Sequence, residues 1–245
     1  MTRTLTKGVT EVPIRAILFD KDGTLIDFDR TWGPAVEAVL RQLAGRNDAL
    51  YRELSIATGL NGHNAHFERA SPVISEPTNV FAARWATSLR RPADAAFFSE
   101  VDRLLCDATL ANLVPLGDPK AIMSELVERG YRLGLATNDA EATARAHARK
   151  LGFEGMLTFI AGYDSGFGAK PSPGPVLAFA TAVNVPISEV VVVGDTAHDV
   201  TMARAAGSKV VVVLTGPTAS DYLVRAEPDA VIASVAQLSA WLQTQ

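Results

Sequence analysis

Ala16-Ile17-Leu18-Phe19-Asp20-Lys21-Asp22-Gly23 carries an unbroken apolar stretch into two acids and a glycine. Four apolar residues without polar alternation read as a strand covered on both faces. Four more runs follow at Tyr131–Ala136, Leu157–Ala161, Val190–Val193 and Lys209–Leu214. Helical patterns follow most of them. Asp118 can cap, Pro119 suits a first turn, and Ile122, Met123, Leu126 and Val127 share a face before Gly130 stops it. Ala140–Leu151 ends at Gly152, and Ala197–Ala206 at Gly207. This alternation predicts an α/β fold with a parallel sheet.

Residues 28–112 break the pattern, because no strand-like run of β-branched residues occurs there. Trp32, Val36, Val39, Leu40 and Leu43 are spaced for one helix face, and further helices are expected at Ala49–Thr58, Thr78–Leu89 and Pro92–Leu110. An all-helical block at 28–112 is therefore expected to interrupt an α/β core made of 1–27 and 113–245. The two crossings should lie near Asp27–Asp29 and Asn112–Pro115.

Among the 245 residues, 48% are apolar and 20% charged, with 23 Lys+Arg against 27 Asp+Glu for a formal charge of −4. That composition excludes a disordered chain. The acidic balance, with no basic cluster, argues against nucleic-acid binding. Cys106 is the only cysteine, so an intrachain disulfide or a cysteine-based zinc site is excluded. The polar start, Met1 to Pro13, lacks a signal-like apolar stretch, and no run approaches the roughly 20 residues of a membrane span. The expectation is a soluble cytoplasmic protein.

The polar residues then fall into place. Asp20 ends the first strand, Thr137 ends Tyr131–Ala136, and Asp195 follows Val190–Val193 after Gly194. Lys170 lies in the Gly-rich loop beyond Leu157–Ala161. Ligands of open α/β sheets bind outside the carboxyl ends of the strands, so these residue types converge on one sheet edge. Asp20 and Asp22, two apart on an extended segment, share a side, and Gly23 lets the chain turn at once.

Phe19-Asp20-Lys21-Asp22-Gly23-Thr24-Leu25 resembles the first motif of haloacid-dehalogenase-superfamily phosphatases. Thr137-Asn138-Asp139 resembles the second, Lys170-Pro171 the third and Gly194-Asp195-Thr196-Ala197-His198-Asp199 the fourth. The helical block resembles a C1-type cap, and the nearest branch is phosphoglycolate-phosphatase-like. The resemblance implies a Rossmann-like parallel-sheet core with an inserted all-helical cap. It implies a phosphatase acting on a small-molecule phosphate ester, with Asp20 as the nucleophile that forms an aspartyl-phosphate. Asp22 would protonate the leaving oxygen and then serve as base for water. Thr137, Asn138 and Lys170 would hold the phosphoryl oxygens. Asp20, Asp195 and Asp199 with a substrate dianion oppose Lys170 alone, and each unit repulsion at 4 Å costs about 4 kcal/mol at an effective dielectric of 20. Mg2+ fits this charge and an oxygen ligand set. The resemblance assigns it to Asp20, the Asp22 backbone carbonyl and Asp195, with Asp199 reaching it through water.

Other readings stand beside these. Asp139 reads as a helix cap, and Asn138 can be one. His198 reads as a residue that supports the site from behind or lies on the surface. His63 and His66 are three apart but lack a third ligand. The loop Gly162–Lys170 fails the spacing of a phosphate-binding loop, and no Gly-x-Gly-x-x-Gly follows the first strand. In the cap, Arg30, His63, Asn64, His66, Arg69 and Arg84 can read the leaving group, an Arg suiting a second acidic group. Many relatives carry Ser after the aspartate at position 27. Here Phe28-Asp29 follow, so the hinge or substrate entrance departs from the family pattern and phosphoglycolate itself is left open. A phosphotransferase such as a sugar-phosphate mutase would use the same Asp pair. A non-catalytic phospho-acceptor or metabolite-binding protein would not need Asp22. A phosphonate hydrolase would need a cap lysine, and none occurs between Phe28 and Asn112.

Overall fold

The structure is a computed structural model that describes residues 12–61, 66–218 and 220–244. The chain order is β1 (Ala16–Phe19), α1 (Phe28–Ala44), α2 (Asp48–Thr58), β2 (Leu60–Asn61), β3 (His66–Phe67), α3 (Pro72–Ser75), α4 (Thr78–Leu89) and α5 (Ala95–Ala111). Then come α6 (Pro119–Glu128), β4 (Arg132–Ala136), α7 (Glu141–Lys150), β5 (Phe159–Ala161), α8 (Gly174–Val183), β6 (Val190–Gly194) and α9 (Ala197–Ala206). The chain closes with β7 (Lys209–Val213), α10 (Ser220–Arg225), β8 (Ala230–Ile232) and α11 (Leu238–Leu242).

Six strands form one parallel sheet in the order β5-β4-β1-β6-β7-β8. Side chains alternate across it, so each apolar run feeds two cores. Ile17, Phe19, Leu133, Leu135, Val191 and Val193 pack with Met123 and Leu126 of α6, Ala144 and Ala148 of α7 and Leu238 of α11. Ala16, Leu18, Val190 and Val192 pack on the other face with Val176 and Phe179 of α8 and Met202 of α9. The chain runs from β1 outward to β5, then returns across to β6. Strand β1 therefore lies at the point where strand order reverses. Its register sets Phe19 beside both Leu135 and Val193, so three strand ends are level.

The inserted segment has its own apolar core, with Trp32, Val36 and Leu40 of α1, Leu54 of α2, Phe81 and Trp85 of α4 and Phe97, Val101 and Leu105 of α5. Two sequence expectations are corrected. Residues 28–112 are not all helical: Leu60 pairs with Phe67 and Asn61 with His66 in a two-strand hairpin too short to show as a run. The expected strand at Leu157–Ala161 begins at Phe159, because a single helical turn at Glu154–Met156 occupies the approach. At the crossings, Asp27 N–H donates to the Val114 carbonyl (2.9 Å), and Leu116 N–H to that of Leu25 (3.0 Å). Among the described residues, no helix is long and apolar enough to cross a membrane.

Candidate active site

Each strand end delivers one reactive side chain to the sheet's carboxyl edge. Asp20 follows β1, and Asp195 follows β6; both are buried. Lys170 Nζ donates to Asp20 Oδ1 (2.5 Å) and Asp199 Oδ1 (2.8 Å). Asp199 lies in the first turn of α9, where Thr196 caps the helix and its own Oδ2 accepts from Thr196 N–H (3.0 Å) and Oγ1–H (2.6 Å). Both Asp199 oxygens are thus engaged. Its geometry suits holding Lys170 more than direct ligation of a metal. Asp195 differs: Oδ1 accepts from Thr24 Oγ1 (3.1 Å), while Oδ2 is buried without a hydrogen-bond partner. The chain pinches round this carboxylate, since a Cβ on Gly23 (φ +80°) or Gly216 would overlap it.

The electrostatics follow from burial. Desolvation, opposed by Lys170, lifts the Asp20 carboxyl to about 6. Asp195 is pushed well above the ordinary range by burial and then by the charges of Asp20 and Asp199. Burial would lower Lys170, but Asp199 and Asp20 outweigh it and raise the group. One oxygen each from Asp20, Asp195 and Asp199 lie within 4.8 Å of one another, against a single ammonium. That excess of negative charge and the unpartnered Asp195 oxygen are what a hard divalent cation would satisfy, so the residues fit one.

Asp22 is held from two sides. Its Oδ1 accepts from the Trp32 indole N–H of α1 (2.7 Å), and its Oδ2 from Lys21 Nζ (2.5 Å). Lys21 is fully buried and also meets Asp139 Oδ2 (3.2 Å) and His147 Nδ1 (3.2 Å). Thr109 Oγ1 donates to the Leu105 carbonyl (2.7 Å), so it accepts from His147 Nε2–H (2.9 Å). The imidazole is therefore the Nε2–H tautomer, its Nδ1 lone pair facing Lys21. Burial, with the charges of Lys21 and Lys150, drives His147 down to about 2. Burial would also depress Lys21, but Asp22 and Asp139 overcome this and hold it above its usual value. Burial, opposed by Lys21, lifts Asp139 to about 7.

Thr137 is buried beside the cluster, its Oγ1 accepting from Asp139 N–H (3.2 Å). Asn138 also lines the cavity, but its amide is occupied: Oδ1 accepts from Lys170 N–H (2.8 Å), and Nδ2 donates to the Lys170 and Ser75 carbonyls (3.0 and 2.8 Å). His198 Nδ1 meets the same Ser75 carbonyl (3.2 Å). Asn138 and His198 thus grip the end of α3 in the inserted segment. The cavity left over the acids is about 40 Å3, room for water and too little for a phosphate ester.

Of the polar cap residues expected to read substrate, the described ones, Arg30, His66, Arg69 and Arg84, do not line this cavity. Arg30, Arg69 and Arg84 are exposed, and Arg84 Nη2 is bound by both oxygens of Glu76 (2.9 Å each). His66 faces Asp29 (3.6 Å). His63 and Asn64 lie outside the described residues. Instead Phe28, Trp32, Val73, Ile74 and Phe81, together with Ser75, Glu76 and Thr78, line the cap side. Sequence reasoning missed Lys21, Trp32 and His147. It read Asp139 as a cap, whereas its Oδ1 takes only the neighbouring Ala140 N–H (2.8 Å) and its Oδ2 meets Lys21. One signal was present: a lysine between two aspartates, directly after a buried strand, needs buried acceptors.

The sequence profile of haloacid dehalogenase-like hydrolases matches residues 14–207. The phosphoglycolate phosphatase of Rhodospirillum rubrum is 31% identical over 214 residues, covering 82% of this chain and 80% of that one. Tyrosine-protein kinase PtkA of Mycobacterium tuberculosis is 31% identical over 210 residues, covering 84% of this chain and 64% of the other. Among solved structures, a predicted phosphoglycolate phosphatase from Haemophilus somnus has a TM-score of 0.71 at 19% identity, covering 97% of this chain and 100% of that one. The profile spans the sheet from β1 to β6 together with all three clustered acids, and with it the chain belongs to the haloacid dehalogenase-like hydrolase family.

Proposed function

We propose that this protein is a Mg2+-dependent phosphatase that hydrolyses a small phosphate monoester through an aspartyl-phosphate. The observation that carries the reading is Asp20 at the strand-order reversal, paired with Lys170 and followed two residues on by Asp22. A phosphorylated cluster without Asp22 would stop at the acyl-phosphate. The activity named for the Rhodospirillum rubrum relative supports the same class of substrate.

Asp20, Asp195 and the Asp22 backbone carbonyl would hold Mg2+, with Asp199 fixing Lys170 and reaching the metal only through water. Bound there, the ion supplies charge neutralisation and polarises the phosphoryl oxygens. Lys170 and the Thr137 hydroxyl, freed from neighbours as substrate arrives, bind those oxygens and orient phosphorus towards Asp20. A carboxylate oxygen of Asp20 forms a bond to phosphorus as the ester P–O bond breaks. The leaving oxygen takes a proton from Asp22. Water then attacks the phosphorus of the acyl-phosphate, Asp22 takes its proton, and phosphate and the Asp20 carboxylate are regenerated. Asn138 acts from one step away, by fixing the Lys170 backbone. Cap opening admits substrate, and closure excludes water.

The test is phosphate release from a panel of monoesters, with Mg2+ or chelator, beside Asp20→Asn. Expected is Mg2+-dependent release that falls by at least about 10^3-fold in the variant. Transfer of the phosphoryl group to a second substrate would favour the phosphotransferase reading, and a phosphoenzyme that accumulates without release would favour a non-catalytic phospho-acceptor.

A further inference from the structure

On the phosphatase reading the phosphoryl end is held by Asp20, Lys170 and Thr137, so the alcohol part of the ester must project towards the cap, whose side chains draw back from the closed cavity of about 40 Å3 to admit it. The walls it meets there are Phe28, Trp32, Val73, Ile74 and Phe81, with Ser75, whose carbonyl is taken by Asn138 and His198, and Thr78 among them, and the one ionisable cap group lining the cavity is Glu76. The indole N–H of Trp32 is already donated to Asp22. The guanidinium of Arg84, which would suit a carboxylate, lies outside the lining and is bound by both Glu76 oxygens. Lys170, the one ammonium at the cavity, is shared between Asp20 and Asp199.

We infer that the ester carries an uncharged, largely apolar leaving group rather than a carboxylate. The inference rests on the phosphatase reading and narrows it. A carboxylate placed between Phe81, Ile74 and Glu76 would lose its water, meet a like charge and find no lysine or arginine free to pair with it. An apolar group there removes its own surface from water against rings that are already buried. The activity named for the Rhodospirillum rubrum relative concerns an ester whose leaving group does bear a carboxylate, so the two chains would divide one chemistry by the charge their caps accept.

The experiment compares kcat/KM for benzyl phosphate and phosphoglycolate, two esters of primary alcohols, at saturating Mg2+. The wild-type protein and Glu76→Gln are measured together, with p-nitrophenyl phosphate as the activity control. Benzyl phosphate is expected to be favoured by at least about tenfold. Glu76→Gln, which removes the like charge and releases Arg84, is expected to shift the ratio towards phosphoglycolate by about threefold or more. Phosphoglycolate preferred by the wild-type protein would overturn this inference and leave the phosphatase standing. No phosphate release from any of the three esters would remove the phosphatase reading, and this inference with it.

Discussion

The indole N–H of Trp32 is donated to Asp22 Oδ1 across 2.7 Å, so a cap residue holds a core carboxylate. Cap position and the orientation of the proposed acid are thereby linked. Trp32→Phe keeps the aromatic bulk and removes the donor. It is expected to lower kcat about tenfold with a smaller change in KM, read by steady-state kinetics on p-nitrophenyl phosphate. A change confined to KM would show that the indole packs against substrate without orienting Asp22.

Lys21 satisfies Asp22, Asp139 and His147 from a fully buried position. Lys21→Met strands the Asp139 carboxylate and is expected to cost about 3–5 kcal/mol in urea denaturation. Lys21→Met with Asp139→Leu removes both charges and should recover much of that loss. Equal instability of the single and double variants would show that the pair is not an energetic unit.

His147 sets a pH dependence whose sign is fixed by its downward shift. It stays neutral when folded to about 2, but in the unfolded chain it takes a proton below about 6.5. The unfolded state binds more protons in that window, so this group's contribution to stability falls as pH drops, by about 1.4 kcal/mol per unit. His147→Gln keeps an acceptor for Lys21 and a donor for Thr109. The wild-type protein should lose stability relative to this variant between pH 6.5 and 4.5. Parallel profiles would mean that the imidazole carries its charge in the fold.

Asp20 and Asp195 act in the opposite sense. Their raised folded values mean that the native state holds protons which the unfolded chain releases above about 4, so their contribution falls as pH rises, for Asp20 up to about 6. A divalent cation must displace those protons. Mg2+ at about 100 times its Kd should raise Tm by about 5–10 °C at pH 8 and much less at pH 5.5, and chelator should reverse it. An equal shift at both pH values would place the ion away from these carboxylates.

Ser75 offers one carbonyl to two core donors, Asn138 Nδ2 and His198 Nδ1. His198→Ala removes one of them, at about 0.5–1.5 kcal/mol for the closed cap. KM should rise about threefold to tenfold while the Tm of the protein changes little. An unchanged KM would show that Asn138 suffices to hold the cap.

The sheet and the acid cluster were legible because both rest on local signals. Val190–Val193 is apolar without a break, and Asp20, Lys170 and Asp195 sit where parallel strands end. Strand β8 was not found, since Ala230–Ile232 is short and lies at the sheet's rim. The Lys21 network was hidden for another reason: Lys21 and His147 are 126 positions apart, and Thr109 joins them from a cap helix. The cap lining was equally out of reach. Trp32 was legible as an apolar helix position and Phe81 lay within an expected helix, but which side chains face the acids depends on how the inserted segment docks. The arginines, selected for their charge, turned out to face solvent.

The insertion leaves and rejoins the core at adjoining points, where Ile26 pairs with Pro115 and Asp27 with Val114. Its two ends are therefore joined by the core itself, whatever length of chain lies between them. Such an arrangement separates two rates of evolutionary change. The segment between these points can be lengthened, shortened or exchanged with little added closure entropy and no shift in strand register. A lineage built this way can acquire new substrates by changing its cover while the acids beneath stay fixed.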